Sequence, residues 1–154
     1  QQIEGKYDSA AKAKAVADAY PNVTVVTQPL PQFSVPEKLD LVWTSQNYHD
    51  FHNPGFGSPD VAALNKAIYD SLKPGGLYIV EDHAAAAGSG LDATNTLHRI
   101  DPAVVKAEVT AAGFRFEGES SVLANAADDH SKMVFDPAIR GHTDQFLYKF
   151  RKPR

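Results

Sequence analysis

The stretch LKPGGLYIVEDH, Leu72–His83, decides the fold. Pro74 cannot continue a helix, and Gly75 and Gly76 accept the positive φ values that a helix exit often needs. The segment therefore predicts a helix end, a tight turn over Lys73–Gly76 and a strand over Leu77–Glu81. Leu77, Tyr78, Ile79 and Val80 form a continuous apolar run, as expected of a strand covered on both faces in a parallel sheet. Open parallel sheets bind ligands beyond the carboxyl ends of their strands, which places Glu81, Asp82 and His83 at an expected site.

On the amino-terminal side, LDLVWT (Leu39–Thr44) reads as a second strand buried on both faces, and NVTVVT (Asn22–Thr27) has the β-branched density of another. Pro29, Pro31 and Pro36 mark an extended loop between them. The alanine-rich segment Ser9–Tyr20 predicts a helix that Pro21 ends, with Asp8 or Ser9 as its cap. Pro59–Leu72 carries Val61, Leu64, Ile68 and Leu72 at helical spacing, with Ser58 or Asp60 as cap.

On the carboxyl side, an Ala- and Gly-rich loop over Ala84–Gly90 leads toward a helix over Pro102–Ala112. Asp101 caps it, Pro102 takes its first position and Gly113 closes it. Phe114–Glu119 and Gln145–Arg151 read as strands, the second alternating Phe146, Tyr148 and Phe150; joined by a loop, they favour an antiparallel pair at a sheet edge. Trp43, Phe114, Phe116, Phe146 and Phe150 are expected in the core. The polar connection Ser120–Thr143 is long enough to be functional or to hold short turns, one of them over Val134–Ile139. The order of elements predicts one α/β domain over residues 1–154: a doubly wound, mostly parallel sheet with an antiparallel carboxyl-terminal edge.

The 154 residues are 43% hydrophobic and 22% charged, the make-up of a globular domain. A net charge of −4, with basic residues clustered only at Lys149, Arg151, Lys152 and Arg154, gives no electrostatic reason to expect nucleic acid. The absence of cysteine excludes disulfides, thiolate metal sites and cysteine nucleophiles. No run approaches the roughly 18 apolar residues of a membrane span. A start at Gln1 rather than methionine leads us to expect a preceding signal peptide, tag or larger piece. No Gly-x-Ser-x-Gly elbow or phosphate loop supports a hydrolase or kinase.

DLVWTSQNYHD (Asp40–Asp50), then LKPGG with its apolar strand, then AAGFRFEGES and DQFLYKFRKP, resemble in order the fourth to seventh strands of class I, Rossmann-like S-adenosylmethionine-dependent methyltransferases. SQNYHDFH, LHRIDPAVVKAEVTAAGF and DDHSKMVFDPAIRGHTDQF are similar to a bacterial subgroup of predicted methyltransferases, often made with an export signal. The resemblance implies S-adenosyl-L-methionine as cofactor and a small-molecule substrate. It leaves a cytoplasmic or an exported location open. No G-x-G-x-x-G precedes a helix, so the part that would hold the cofactor's methionine and ribose is missing. On this alignment the chain is the carboxyl-terminal part of a longer enzyme and lacks the first strands of the fold.

The resemblance places Thr44, Ser45, Gln46 and Asn47 beside the cofactor's sulfonium, and Gln28 and Leu30 near its adenine. A cation prefers such neutral polar groups to Lys or Arg, and Tyr48 offers a cation–π face. His49, Asp50 and His83 are the candidate catalytic residues, since imidazole titrates near neutral pH and both histidines follow strand ends; the alternative is that His49 caps a helix or bonds to backbone. His52, His98 and Arg99 are further substrate-side candidates; the alternative for Arg99 is a helix-entry ion pair with Asp101. His49-x-x-His52 with Asp50 and Asp82 does not define a ligand set, so no metal is assigned.

Two rival expectations stand beside the enzyme. A chain without the first strands would be a non-catalytic binding module with an exposed sheet edge, associating or exchanging domains with another copy. The same His and Asp residues would also serve a metal-dependent hydrolase or lyase.

Overall fold

The computed structural model describes residues 9–28, 33–57 and 59–154. Asp8, Ser58, Pro29, Leu30 and Pro31 lie outside the described residues. Helix α1 (Ser9–Ala19) is followed by strand β1 (Leu39–Ser45), two short 3₁₀ turns (His49–His52 and Pro54–Phe56), helix α2 (Val61–Ser71), strand β2 (Leu72–His83), helix α3 (Pro102–Ala111), and strands β3 (Arg115–Ser120) and β4 (Gln145–Arg151).

The four strands form one sheet in the order β1-β2-β4-β3. β1 runs parallel to β2, while β4 runs antiparallel to both β2 and β3. The expected late antiparallel pair is present at one side of the sheet, with β4 inserted between β2 and β3. This is a mixed α/β sheet of four strands, three of them running in one direction.

Local chemistry sets the helix boundaries. The Asp60 carboxylate accepts from the Ala63 amide at 3.0 Å and starts α2; Asp101 accepts from Ala103 at 2.9 Å and starts α3, with Pro102 at the first position. Gly113, at φ 106°, ends α3 where a β-carbon would lie 3.2 Å from the Tyr69 ring. Leu64 and Ile68 of α2 and Val105 and Val109 of α3 bury against Tyr78, Val80, Tyr148 and Phe150 of the sheet. Each such side chain contributes roughly 1.5–3 kcal/mol when fully buried.

Three expectations need correction. Asn22–Thr27 is not a strand: no strand pairing reaches it among the described residues, and Val25 and Val26 are exposed. β-branched density supplies propensity, but a strand also needs a partner. β1 is not covered on both faces either, because it lies at the sheet's rim; Leu41 is 45% and Trp43 57% exposed, so Trp43 is not core. Finally, the Lys73–Gly76 segment is not a separate turn before a strand. β2 begins at Leu72, paired with Leu39, and a register shift between Leu39 and Leu41 absorbs the Pro-Gly-Gly residues as an irregularity within the strand. Gly75 takes φ 83°, and Gly76 is so close to the Lys73 carbonyl that a β-carbon would lie 2.9 Å from it.

Candidate active site

The pairing of β1 with β2 ends at Ser45 and Glu81. The Gln46 amide donates to the Glu81 carbonyl at 2.9 Å, and the Glu81 carboxylate accepts from Ser45 Oγ at 2.6 Å and Gln46 Nε2 at 3.3 Å. The chain then turns back, with Gln46 at φ 53°, into the 3₁₀ turn that opens at His49. Asp82 is fully buried one residue further along β2. Its carboxylate accepts from the backbone amides of His49 and His83, both at 2.8 Å, and lies 2.8 Å from His49 Nδ1. A buried carboxylate is tolerable only when its oxygens are satisfied in this way. With Nδ1 donating to Asp82, the Nε2 of a neutral His49 carries the free lone pair.

Asp82 thus ties the loop after β1 to the end of β2 and brings His49 and His83 together, with ring centres 6.3 Å apart. Their proton affinities diverge. Burial opposes a charge on His49, but the Asp82 hydrogen bond and the charges of Asp82 and Asp50 outweigh it, and the pKa is raised. For His83 burial dominates, with His49 and Arg99 adding to it against Asp82 and Glu81, and the pKa is lowered. Burial also raises the pKa of Asp50, against the pull of His49 and His98. Two imidazoles pushed in opposite directions at one sheet edge are suited to divided acid and base duties. His83 Nδ1 lies 2.8 Å from Thr143 Oγ1.

Asp50 and His98 join this cluster. Asp50 Oδ1 is 3.3 Å from His49 Nε2 and 3.9 Å from His98 Nδ1, and the His98 ring meets the His49 ring edge-on at 5.5 Å. The remaining predicted residues lie elsewhere in the network. Ser45, Gln46 and Asn47 form an exposed neutral rim, whereas Thr44 is buried. Tyr48 is fully buried, its hydroxyl bonded to Glu108 at 3.0 Å and Asn65 at 2.7 Å. His52 meets the same Glu108 at 3.1 Å and so diverges from His49. Gln28 closes its own loop through reciprocal bonds with the Ser34 backbone.

Arg99 does not pair with Asp101, which caps α3 and accepts from Gly88. Fully enclosed, it donates to the Lys132 and Ala84 carbonyls, both at 2.9 Å, and pairs with Asp128 at 2.8 Å. It braces the long connection against the end of β2. Asp82, Glu108, Thr143 and Asp128 carry this network; Asp82 was expected at the strand end, but spacing gave no signal for any of the pairings, since each meets its partner across 29 or more residues. An open groove lies between Arg115, Glu117, Arg151 and Arg154, at the opposite end of the sheet, where Arg151 pairs with Leu77.

No family model matches the sequence, and no curated protein matches it. Solved structures do match. The N-methyltransferase NodS from Bradyrhizobium japonicum WM9, in complex with S-adenosyl-L-homocysteine, superposes with a TM-score of 0.63 at 14% identity, over 94% of this chain and 62% of NodS. The glycopeptide N-methyltransferase MtfA, also complexed with S-adenosyl-L-homocysteine, gives 0.60 at 16% identity over 94% of this chain and 69% of MtfA. A S-adenosylmethionine-dependent methyltransferase from Mesorhizobium loti gives 0.57 at 17% identity, over 92% and 74%. The fold is therefore that of the class I methyltransferases. The chain spans less than two thirds of NodS.

Proposed function

We propose that the protein acts in methyl transfer from S-adenosyl-L-methionine to a small molecule, at the edge formed by the ends of β1 and β2. The observation that carries this reading is the Asp82 bridge, which gathers His49 and His83 at the carboxyl ends of two parallel strands in a methyltransferase fold. The cofactor supplies an electrophilic methyl group on a sulfonium. The rim of this chain fits that end of the cofactor: Ser45, Gln46 and Asn47 are exposed, neutral and polar, and the Glu81 carboxylate behind them favours a cation. No glycine-rich loop in the chain fits the methionine and ribose.

The chain's own residues handle the acceptor. His49 and Asp50 hold its hydroxyl or amine, with His49 oriented by Asp82. His83 takes the departing proton, because its depressed pKa keeps it neutral near pH 7; in the tautomer whose Nδ1 donates to Thr143, 2.8 Å away, Nε2 is the free base. Calorimetric titration of the protein with S-adenosyl-L-homocysteine tests the reading. Saturable heat with one site per chain is expected, and no heat at high ligand concentration counts against it.

A specific observation favours a second reading, a module that associates through its sheet edge: Leu41 and Trp43 stand exposed on β1, whose outer side pairs with no strand among the described residues.

A further inference from the structure

Three ligating atoms converge beyond β1: His49 Nε2, Asp50 Oδ1 and His98 Nδ1, all within 4.8 Å of one another. Asp50 Oδ1 sits between the two imidazoles, buried and without a hydrogen-bond partner. Most buried carboxylate oxygens in native proteins have partners, and this one, left without, is available to a ligand. Two donors at 2.0–2.1 Å from a tetrahedral ion stand roughly 3.3 Å apart, close to the 3.3 Å between Asp50 and His49 and slightly less than the 3.9 Å between Asp50 and His98. We infer that His49, Asp50 and His98 form a site for one divalent transition-metal ion of the zinc, manganese, iron or cobalt class.

The surroundings fit such an ion. Histidine ligands commonly donate their second ring nitrogen to a carboxylate, and Asp82 receives His49 Nδ1. Two imidazoles and one carboxylate select transition ions over magnesium or calcium. The charges of Asp50 and Asp82 together offset a divalent cation. His98 is held for the task at φ 55°, a left-handed conformation that histidine tolerates, with its ring between His49 and Phe135, the latter 5.1 Å away. The sequence pair His49-x-x-His52 is not the ligand set, because His52 turns to Glu108.

The role of the ion rests on the methyl-transfer reading; its presence does not. Three protein ligands leave a position open, so that His49 and Asp50 would hold the acceptor oxygen or nitrogen through the ion, making it more acidic and easing loss of its proton to His83.

The test uses the chelator-treated protein and two probes, Co²⁺ followed by its visible absorption and Zn²⁺ followed by calorimetry. One ion per chain is expected, with at least a tenfold loss of affinity in Asp50→Asn and in His98→Asn. Asparagine tolerates the left-handed backbone at residue 98, so that variant keeps the local fold; circular dichroism checks this. His98→Asp, which restores a ligand, is expected to recover binding, while His142→Ala leaves it unchanged. No bound ion, or equal binding by the wild type and both asparagine variants, overturns the site. S-adenosyl-L-homocysteine heat without ion binding removes the metal alone; ion binding without that heat keeps the site and removes the methyl-transfer role.

Discussion

Asp82 satisfies three N–H donors with one carboxylate, and no single substitution tests the edge more directly. Asn at position 82 keeps the size but presents an amide to groups that are themselves donors. Asp82→Asn is expected to destabilise the protein by about 1–3 kcal/mol, the cost of leaving a buried donor unmet. It also removes the interaction that raises the His49 pKa. That raised value means the pairing stabilises the fold below the ordinary histidine pKa of about 6.5, and the contribution is lost as pH rises through the folded-state value. The His49 ring proton, followed by NMR, is therefore expected to titrate at lower pH in the variant; an unchanged midpoint would show that Asp82 does not set the charge of His49. His49, Asp50 and His83 were readable as chemistry because each follows a strand end in the sequence. Asp82 was visible only as one acid among several, since its partner lies 33 residues earlier and only the parallel pairing of β1 with β2 brings them together.

Among the elements, α2, α3 and β4 were legible because each carries its own local signal: an aspartate cap, a proline at the first turn, or alternating aromatics. Asn22–Thr27 and the Pro-Gly-Gly irregularity were not, since both depend on what lies beside them. The connection 121–144 is the hardest case, with turns but no helix or strand, held by buried charge. Arg99 pairs with Asp128, Asp128 accepts from the Asp144 and His130 amides at 2.7 and 3.0 Å, and His130 meets Asp144 at 2.9 Å. Burial alone would raise the Asp128 pKa, but those two amides and Arg99 together hold it below the usual carboxylate range. A depressed carboxylate contributes stability above its unfolded pKa of about 4, and that contribution disappears as pH falls through the folded value. Asp128→Asn is expected to cost about 3 kcal/mol near pH 7, as for one partner removed from a buried pair. The gap in melting temperature between wild type and variant is then expected to close as pH drops below about 4. A gap that stays constant from neutral to strongly acid solution would remove Asp128 as the ionic anchor of the connection.

At the scale of the whole molecule, the sheet has two unequal rims. At one, β3 is protected by charge: Glu117 faces Lys149 and Arg151 of β4. At the other, β1 presents Leu41 and Trp43 to solvent beside a row of backbone groups with no strand partner among the described residues. Charged side chains are the usual protection of a free edge, and β1 carries only Asp40, which is engaged by Lys73 at 2.7 Å. The exposed indole adds an incentive to associate, since covering the remaining half of a Trp contributes roughly 2 kcal/mol. The isolated chain is therefore expected to self-associate through β1, its light-scattering mass rising with concentration, and Trp43→Lys is expected to weaken that association at least tenfold. The substitution adds the missing charge at a largely exposed position, so thermal stability should stay within about 0.5 kcal/mol. A wild-type chain that remains monomeric at the highest concentration, or a variant that associates equally well, would show that the β1 edge is not where this molecule meets another copy.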